Sequence, residues 1–236
     1  MKKIIALAFV FLLTGCAELQ KIASQLPQGG GVLTQQQIGQ GLRQALDNGI
    51  KHQVTKLTAK DGFFKNELVK IAMPKELRAV DKALRKIGLS NLADEGVKVL
   101  NRAAEDAVKT AAPIFVDAVR GITFTDAKNI LLGEENAATA FLENRTSKAL
   151  YGKFNPVIKK SFAKVGADKV WENLISKYNK IPFVKKANTD LTDYVTTEAL
   201  HGVFKMIAKE EKGIRSKVGL RNTDLLRKVF ALQDRR

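Results

Sequence analysis

Three places along the chain set reactive side chains at spacings that a helix would turn into a site. Asn101, Arg102 and Glu105 fall within about one helical turn. Arg102 and Glu105 are three apart, so they share a face and can pair. Joined by Asp117 or Asp126 from the following helices, they would form a polar site. On their own they read as a buried ion pair that fixes helix register. Glu210, Glu211 and Arg215 group near the end of another helix. There Arg215 reads either as a hinge paired with Asp193 or Asp224, or as part of a charged, solvated helix end. The third place, Glu198-Ala199-Leu200-His201, has the Glu-x-x-His spacing of di-iron carboxylate bundles. Such bundles need two of these motifs and two more glutamates. The chain has two histidines, and His52 has no acid three residues before it. One such histidine is also too little for zinc. No metal and no cofactor is expected.

Nucleophilic chemistry has no better foothold. There is no Gly-x-Ser-x-Gly. Gly29-Gly30-Gly31 lacks the Lys-Ser/Thr that completes a phosphate-binding loop. Glu134-Glu135 and Glu210-Glu211 are adjacent carboxylates. Helix neighbours point about 100° apart, which suits neither pair to acid–base work. The residue types favour a binding or structural role over catalysis.

The elements that must position these groups are helices. From the N-cap candidate Thr34, apolar residues recur at Ile38, Leu42, Leu46, Ile50, Val54 and Leu57, the spacing of an amphipathic helix, which Asp61-Gly62 ends. Phe63 to Met73 has no clear period. Pro74 opens a helix with Leu77, Val80, Leu84 and Ile87 inside and Gly88 as its stop. Another starts near Asn91 and is broken or kinked by Pro113, with a short continuation from Ile114 to Val119 that Gly121 stops. Thr123 or Thr125 caps Asp126 to Leu132. Glu134 and Glu135 open a helix to Leu150. Val170, Trp171, Leu174 and Tyr178 mark one more. Asp190 starts a long helix to Gly213, with Gly202 inside it as a point of close contact, and Thr223 caps the last. Almost no stretch alternates with period two. The expected fold is all-α, a compact multi-helix domain of short antiparallel helices.

The N-terminus sets the location. Lys2 and Lys3 precede the apolar run Ile4 to Leu13, then Leu13-Thr14-Gly15-Cys16 with the only cysteine. The three-part form is that of a secretory signal, and ten apolar residues are half of the about 20 needed to span a bilayer. Leu-Thr-Gly-Cys resembles the lipobox of bacterial lipoproteins. That resemblance implies cleavage before Cys16, lipidation of its sulfur and acylation of the new amino group. The other reading is an ordinary signal with a chance cysteine. Ala17 in place of Asp resembles the signal for the outer membrane, in a host that has two. Residues 1–15 are then a signal peptide, 16–32 the lipidated cysteine and a flexible tether rich in glycine, and 33–236 a single helical domain. With Cys16 modified, no thiol is left for a disulfide.

Charge points to a partner. The net charge is +16. Residues 17–152 carry 19 basic and 15 acidic side chains, whereas residues 153–236 carry 19 and 9. Such asymmetry suggests a surface that meets something anionic. An exported protein meets little nucleic acid, so anionic lipid or an envelope polyanion is the expected partner, alongside the membrane reached through the lipid. Lys159, Lys160, Lys164, Lys169, Lys177, Lys185 and Lys186 are the candidate surface. Clustered, they would hold anionic groups; scattered, they only solvate the domain.

Ordered short segments complete the reading: Gly41-Leu42, Ala45-Leu46 and Gly49-Ile50; Asn101-Arg102-Ala103-Ala104-Glu105; Thr123-Phe124-Thr125-Asp126-Ala127 with Ile130-Leu131; Ala137-Ala138-Thr139; Pro182-Phe183; Asp190-Leu191 with Tyr194-Val195; Glu210-Glu211 with Ile214-Arg215; and Thr223-Asp224-Leu225-Leu226. Over about Gly41 to Phe230 they resemble the bacterial family called domain of unknown function 4197, with Ile122 as one apolar-for-apolar departure. The resemblance implies a helical fold, often with a lipoprotein signal, and no activity. Three functions stay open: contact with an anionic partner, carriage of an apolar ligand between helices, and, least favoured, a hydrolase-like enzyme.

Overall fold

Thr34 starts the first helix by a reciprocal cap. Its hydroxyl accepts the Gln37 N–H at 3.2 Å, and the Gln37 side chain accepts the Thr34 N–H at 2.9 Å. From there the computed structural model describes residues 33–75, 90–167 and 190–234, with residues 78, 85, 86, 88, 169, 172, 176, 179, 180, 182, 183 and 186 between them. The signal, Cys16 and the tether lie outside the described residues, as do Leu77, Val80, Leu84 and Ile87, and Val170, Trp171, Leu174 and Tyr178.

Seven α-helices are described: α1 (Gln35–Thr58), α2 (Ser90–Val108), α3 (Ala112–Arg120), α4 (Phe124–Leu131), α5 (Ala137–Val165), α6 (Leu191–Ser216) and α7 (Asp224–Phe230). A 3₁₀ turn, Val218–Leu220, joins the last two. The described residues contain no strand. The fold is all-α, though α1, α5 and α6 are long, at 24, 29 and 26 residues. No helix among the described residues is long and apolar enough to cross a membrane.

Local chemistry explains most boundaries. Pro113 sits in the first turn of α3, where its missing N–H costs nothing. Thr123, not Thr125, caps α4, in a capping box closed by Asp126. The helix expected from Glu134 to Leu150 begins instead at Ala137 and runs on through Pro156 to Gly166. Its buried side chains keep a strict four-residue step: Ala138, Leu142, Thr146, Leu150, Phe154, Ile158 and Phe162. At about 100° per residue each step turns the buried line by about 40°. The stripe therefore winds around α5, and no single face of the sequence looks apolar. Pro156 is tolerated because it lies on the exposed side, opposite Phe154 and Ile158.

The long helices pack antiparallel. Ala138 and Thr139 of α5 meet Glu211 of α6, while Tyr151 meets Asp193. Gln53 of α1 meets Glu210, and Phe63, just past α1, meets Gly202. A Cβ on Gly202 would lie 2.8 Å from the Phe63 ring, and one on Gly41 would lie 2.6 Å from Val229. Both glycines are close-approach points. Phe115 and Phe204 meet edge to face at 6.1 Å. Among the described residues one apolar cluster runs from Leu33 to Phe230.

Candidate functional site

The polar residues singled out above separate into two clusters. Asn101 and Glu105, both buried on α2, face the irregular segment between α1 and α2. The Asn101 amide matches the backbone of Ile71 as a neighbouring strand would. Its Oδ1 accepts the Ile71 N–H at 2.8 Å, and its Nδ2 donates to the Ile71 carbonyl at 2.8 Å and to the Val97 carbonyl at 2.7 Å. Glu105 Oε1 accepts the N–H groups of Phe63 and Phe64 at 3.1 and 3.4 Å. Arg102 donates to Glu105 and to Asp61, each at 2.5 Å. Asp61 holds a left-handed φ of 69°, unusual for a side-chain residue. Burial raises the affinity of its carboxyl for a proton, but the Lys65 hydrogen bond and the Arg102 charge outweigh that and hold it below the usual range. The acid that reaches Arg102 is therefore Asp61, not Asp117 or Asp126. Asp117 is exposed on α3, and Asp126 is used up by the α4 cap. The helix stripe gave no warning of Asp61. Its one signal is its place before Gly62 in a turn.

Glu211 and Arg215 form the second cluster, one turn apart on α6. Glu211 accepts the N–H groups of Ala138 and Thr139 at 2.9 and 2.8 Å and the Thr139 hydroxyl at 2.8 Å. It thus caps α5 from another helix, a role that the side chain of Asn136 leaves vacant. Arg215 does the converse for α4, donating to the carbonyls of Ile130 and Leu131 at 2.7 and 3.1 Å. A carboxylate meets a helix N-terminus and a guanidinium a C-terminus, the favourable polarity in both cases. Arg215 also donates Nε and Nη2 to Glu211 and Nη1 to Gln233. All five guanidinium protons are taken, which leaves Arg215 none for a ligand. Asp193 and Asp224, its expected partners, bind Tyr151 and Arg227 instead. Arg221, missed in the sequence, is 2% exposed. It bonds to Asp234, to the carbonyls of Ile214 and Arg215, and lies over Phe230.

Glu210 stands apart from its neighbour. It bonds Gln53 at 2.6 Å and His52 at 3.2 Å, beside an apolar crevice between α1 and α6. That crevice has a volume of about 30 Å³, room for one or two waters. Ligand pockets run to about 300–1,000 Å³. Glu198 and His201 face each other at 3.8 Å on the surface, and no third metal-binding side chain joins them among the described residues.

Three of the seven basic candidates fall on α5. Lys159, Lys160 and Lys164 are exposed on its last turns. Lys169 and Lys186 are exposed beyond it, whereas Lys177 and Lys185 lie outside the described residues. The same helix adds Arg145, Lys148 and Lys153, also exposed. Residues 144–165 contain no acid, and none of these five α5 lysines enters an ion pair among the described residues. Lys153, Lys160 and Lys164 fall within about 40° of one another around the axis, and Lys148 and Lys159 form a second row about 130° away. Small exposed residues lie between the rows: Ala149, Gly152, Pro156 and Ala163.

Comparison with curated proteins gave no match, and comparison with solved structures gave none either. A family model described as a protein of unknown function, DUF4197, matches residues 32–231. That span takes in every described helix and both polar clusters, and the chain belongs to the DUF4197 family.

Proposed function

We propose that this is a lipid-anchored protein of the cell envelope, held through Cys16 on the periplasmic face of the outer membrane, that engages an anionic partner through the exposed face of α5. The observation that carries the reading is the run from Arg145 to Lys164. Six cations occupy about 29 Å of helix with no acid among them. Near an anionic surface each contributes about 1 kcal/mol, and their field reaches about 8–10 Å at moderate salt. A lipid tether would keep such a partner close, so modest contacts suffice. The saturated Arg215 lends no support to the hydrolase reading, and the α1–α6 crevice is too narrow to carry an apolar ligand between those two helices.

The test is vesicle sedimentation with the polypeptide lacking residues 1–16. It should bind vesicles containing phosphatidylglycerol and lose that binding as salt rises. The triple variant Lys153→Glu/Lys160→Glu/Lys164→Glu should lose most of it. Equal binding to neutral vesicles would sink the proposal. Mass spectrometry of the cell-derived protein tests the anchor, and an unmodified Cys16 would remove it.

A further inference from the structure

The Asn101–Glu105 cluster holds an irregular segment rather than joining two helices, and that segment forms one wall of a groove. Its other wall is the first half of α2. The groove has a volume of about 330 Å³, within the range of small-molecule sites. Its apolar side is Phe64, Met73 and Val97; its basic side is Lys70, Arg78 and Arg85. Asp94 is the one acid in the lining, and Arg85 engages it at 2.7 Å. Lys70 lies 5.0 Å from the centre of the Phe64 ring, at the junction of the two sides.

The segment is fixed before any ligand arrives. Glu105 holds the N–H of Phe64, Asn101 holds both backbone groups of Ile71, and the Tyr194 hydroxyl donates to the Ala72 carbonyl at 3.0 Å. Gly96 lets the Met73 methyl lie 2.8 Å from where a Cβ would stand. Loops held on rigid scaffolds are where binding residues concentrate, and preformed walls lower the entropy that a ligand must lose.

We propose that this groove binds a single-chain amphiphile with an anionic head. The chain lies on Phe64, Met73 and Val97, and the head is met by Lys70 and Arg78. Lys70, Arg78 and Arg85 outnumber Asp94 and the exposed Glu67, which Lys70 meets at 4.0 Å, so a negative head is favoured, while the apolar wall selects a hydrocarbon over a bare ion. The inference is independent of the α5 surface and of the lipid anchor.

The test uses the polypeptide lacking residues 1–16 and dodecyl phosphate below its micelle concentration. That polypeptide has two methionines, Met73 in the groove and Met206 in the core. With ¹³C-labelled methionine methyls, titration should shift the Met73 signal and leave Met206 in place. Dodecyl phosphate should bind at least tenfold more tightly than dodecyl maltoside and than inorganic phosphate. Lys70→Glu/Arg78→Glu should raise its Kd at least tenfold, and Ala72→Trp should block the groove. If Ala72→Trp fails to fold, the charge variant and the methyl signal decide. A still Met73 signal, equal shifts at both methyls, or equal affinity for the neutral head would overturn the proposal. Lys153→Glu/Lys160→Glu should leave the affinity unchanged; a tenfold loss there would place the ligand on α5 instead.

Discussion

Replacing Asn101 by leucine tests whether the α2 cluster is a clamp or a reaction site. The side chain is fully buried, and Ile71 is 1% exposed. Leucine keeps the branched shape but removes both bonds to Ile71, leaving a buried N–H and a buried carbonyl unpaired. Each orphaned group costs about 1–3 kcal/mol, so the loss should be about 2–6 kcal/mol, from a total of about 5–15 for a domain of this kind. For a chain of this size that is about 5–20 °C in melting temperature. If the segment can open locally, the loss is capped at the free energy of that opening. Urea unfolding gives the total, and hydrogen exchange locates it. Amides of residues 61–73 should lose protection while those of α5 and α6 keep theirs at matched denaturant. Asn101→Asp, which sets a buried carboxylate against the Ile71 and Val97 carbonyls, should cost at least as much at pH 7. A loss under about 1 kcal/mol with unchanged exchange over 61–73 would refute the clamp and return Asn101 to the list of candidate site residues.

Other outcomes follow from the remaining polar contacts. Glu211→Gln or Arg215→Met alone should cost about 3–5 kcal/mol, because each leaves a buried charge unpaired; the double variant should cost clearly less than the sum, and additive losses in urea unfolding would show that the two do not act as a pair. Tyr151 donates to Asp193 at 2.6 Å, and that bond, with burial, pushes its hydroxyl up to about 12 from 10.0. Its contribution to stability is complete below pH 10 and is lost as pH rises toward 12, so ultraviolet titration should show a late tyrosine that Tyr151→Phe removes. Arg221 holds the Asp234 carboxyl below its ordinary value of 3.8. That contribution is present above the ordinary value and is lost as pH falls through the lowered one, so Asp234→Asn should destabilise at pH 7 and flatten the acid limb of the stability curve.

Helices whose buried line stays on one face were legible in the sequence. Thr34 to Leu57 and the helix beginning at Asp190 show it, and their caps and periods agree. The sequence shortens α5 because its stripe winds and because proline, here Pro156, usually ends a helix, yet Phe154, Ile158 and Phe162 are each fully buried beyond the expected end. Proximity between Arg102 and Glu105 was legible because three-residue spacing fixes it within one helix. The third member, Asp61, was not, since it arrives through a turn 41 residues away. Arg215 shows both sides of this: four-residue spacing puts Glu211 within its reach, whereas the main-chain carbonyls it binds at the end of α4 have no side-chain signature. Arg221, the most buried basic side chain among the described residues, sits in a stretch with no period at all.

The segments that carry the family resemblance turn out to build the frame. Gly41 lets α7 approach α1; Asn101, Arg102 and Glu105 hold the segment after α1; Thr123 and Asp126 cap α4; Ala138 and Thr139 receive the Glu211 cap; Thr223 starts α7 by accepting the Leu226 N–H. Apart from the Gly41 approach of two helices, each makes a contact that irregular backbone or a helix end requires. By contrast, Lys70, Arg78 and Arg85 of the groove and the lysines of α5 lie outside all of those segments. Belonging to the family therefore accounts for how the backbone is held, and leaves activity to be read from the two surfaces the frame presents. The clamp links the two levels, because loosening Asn101 should weaken amphiphile binding through the wall it holds while leaving the rigid face of α5 unaffected.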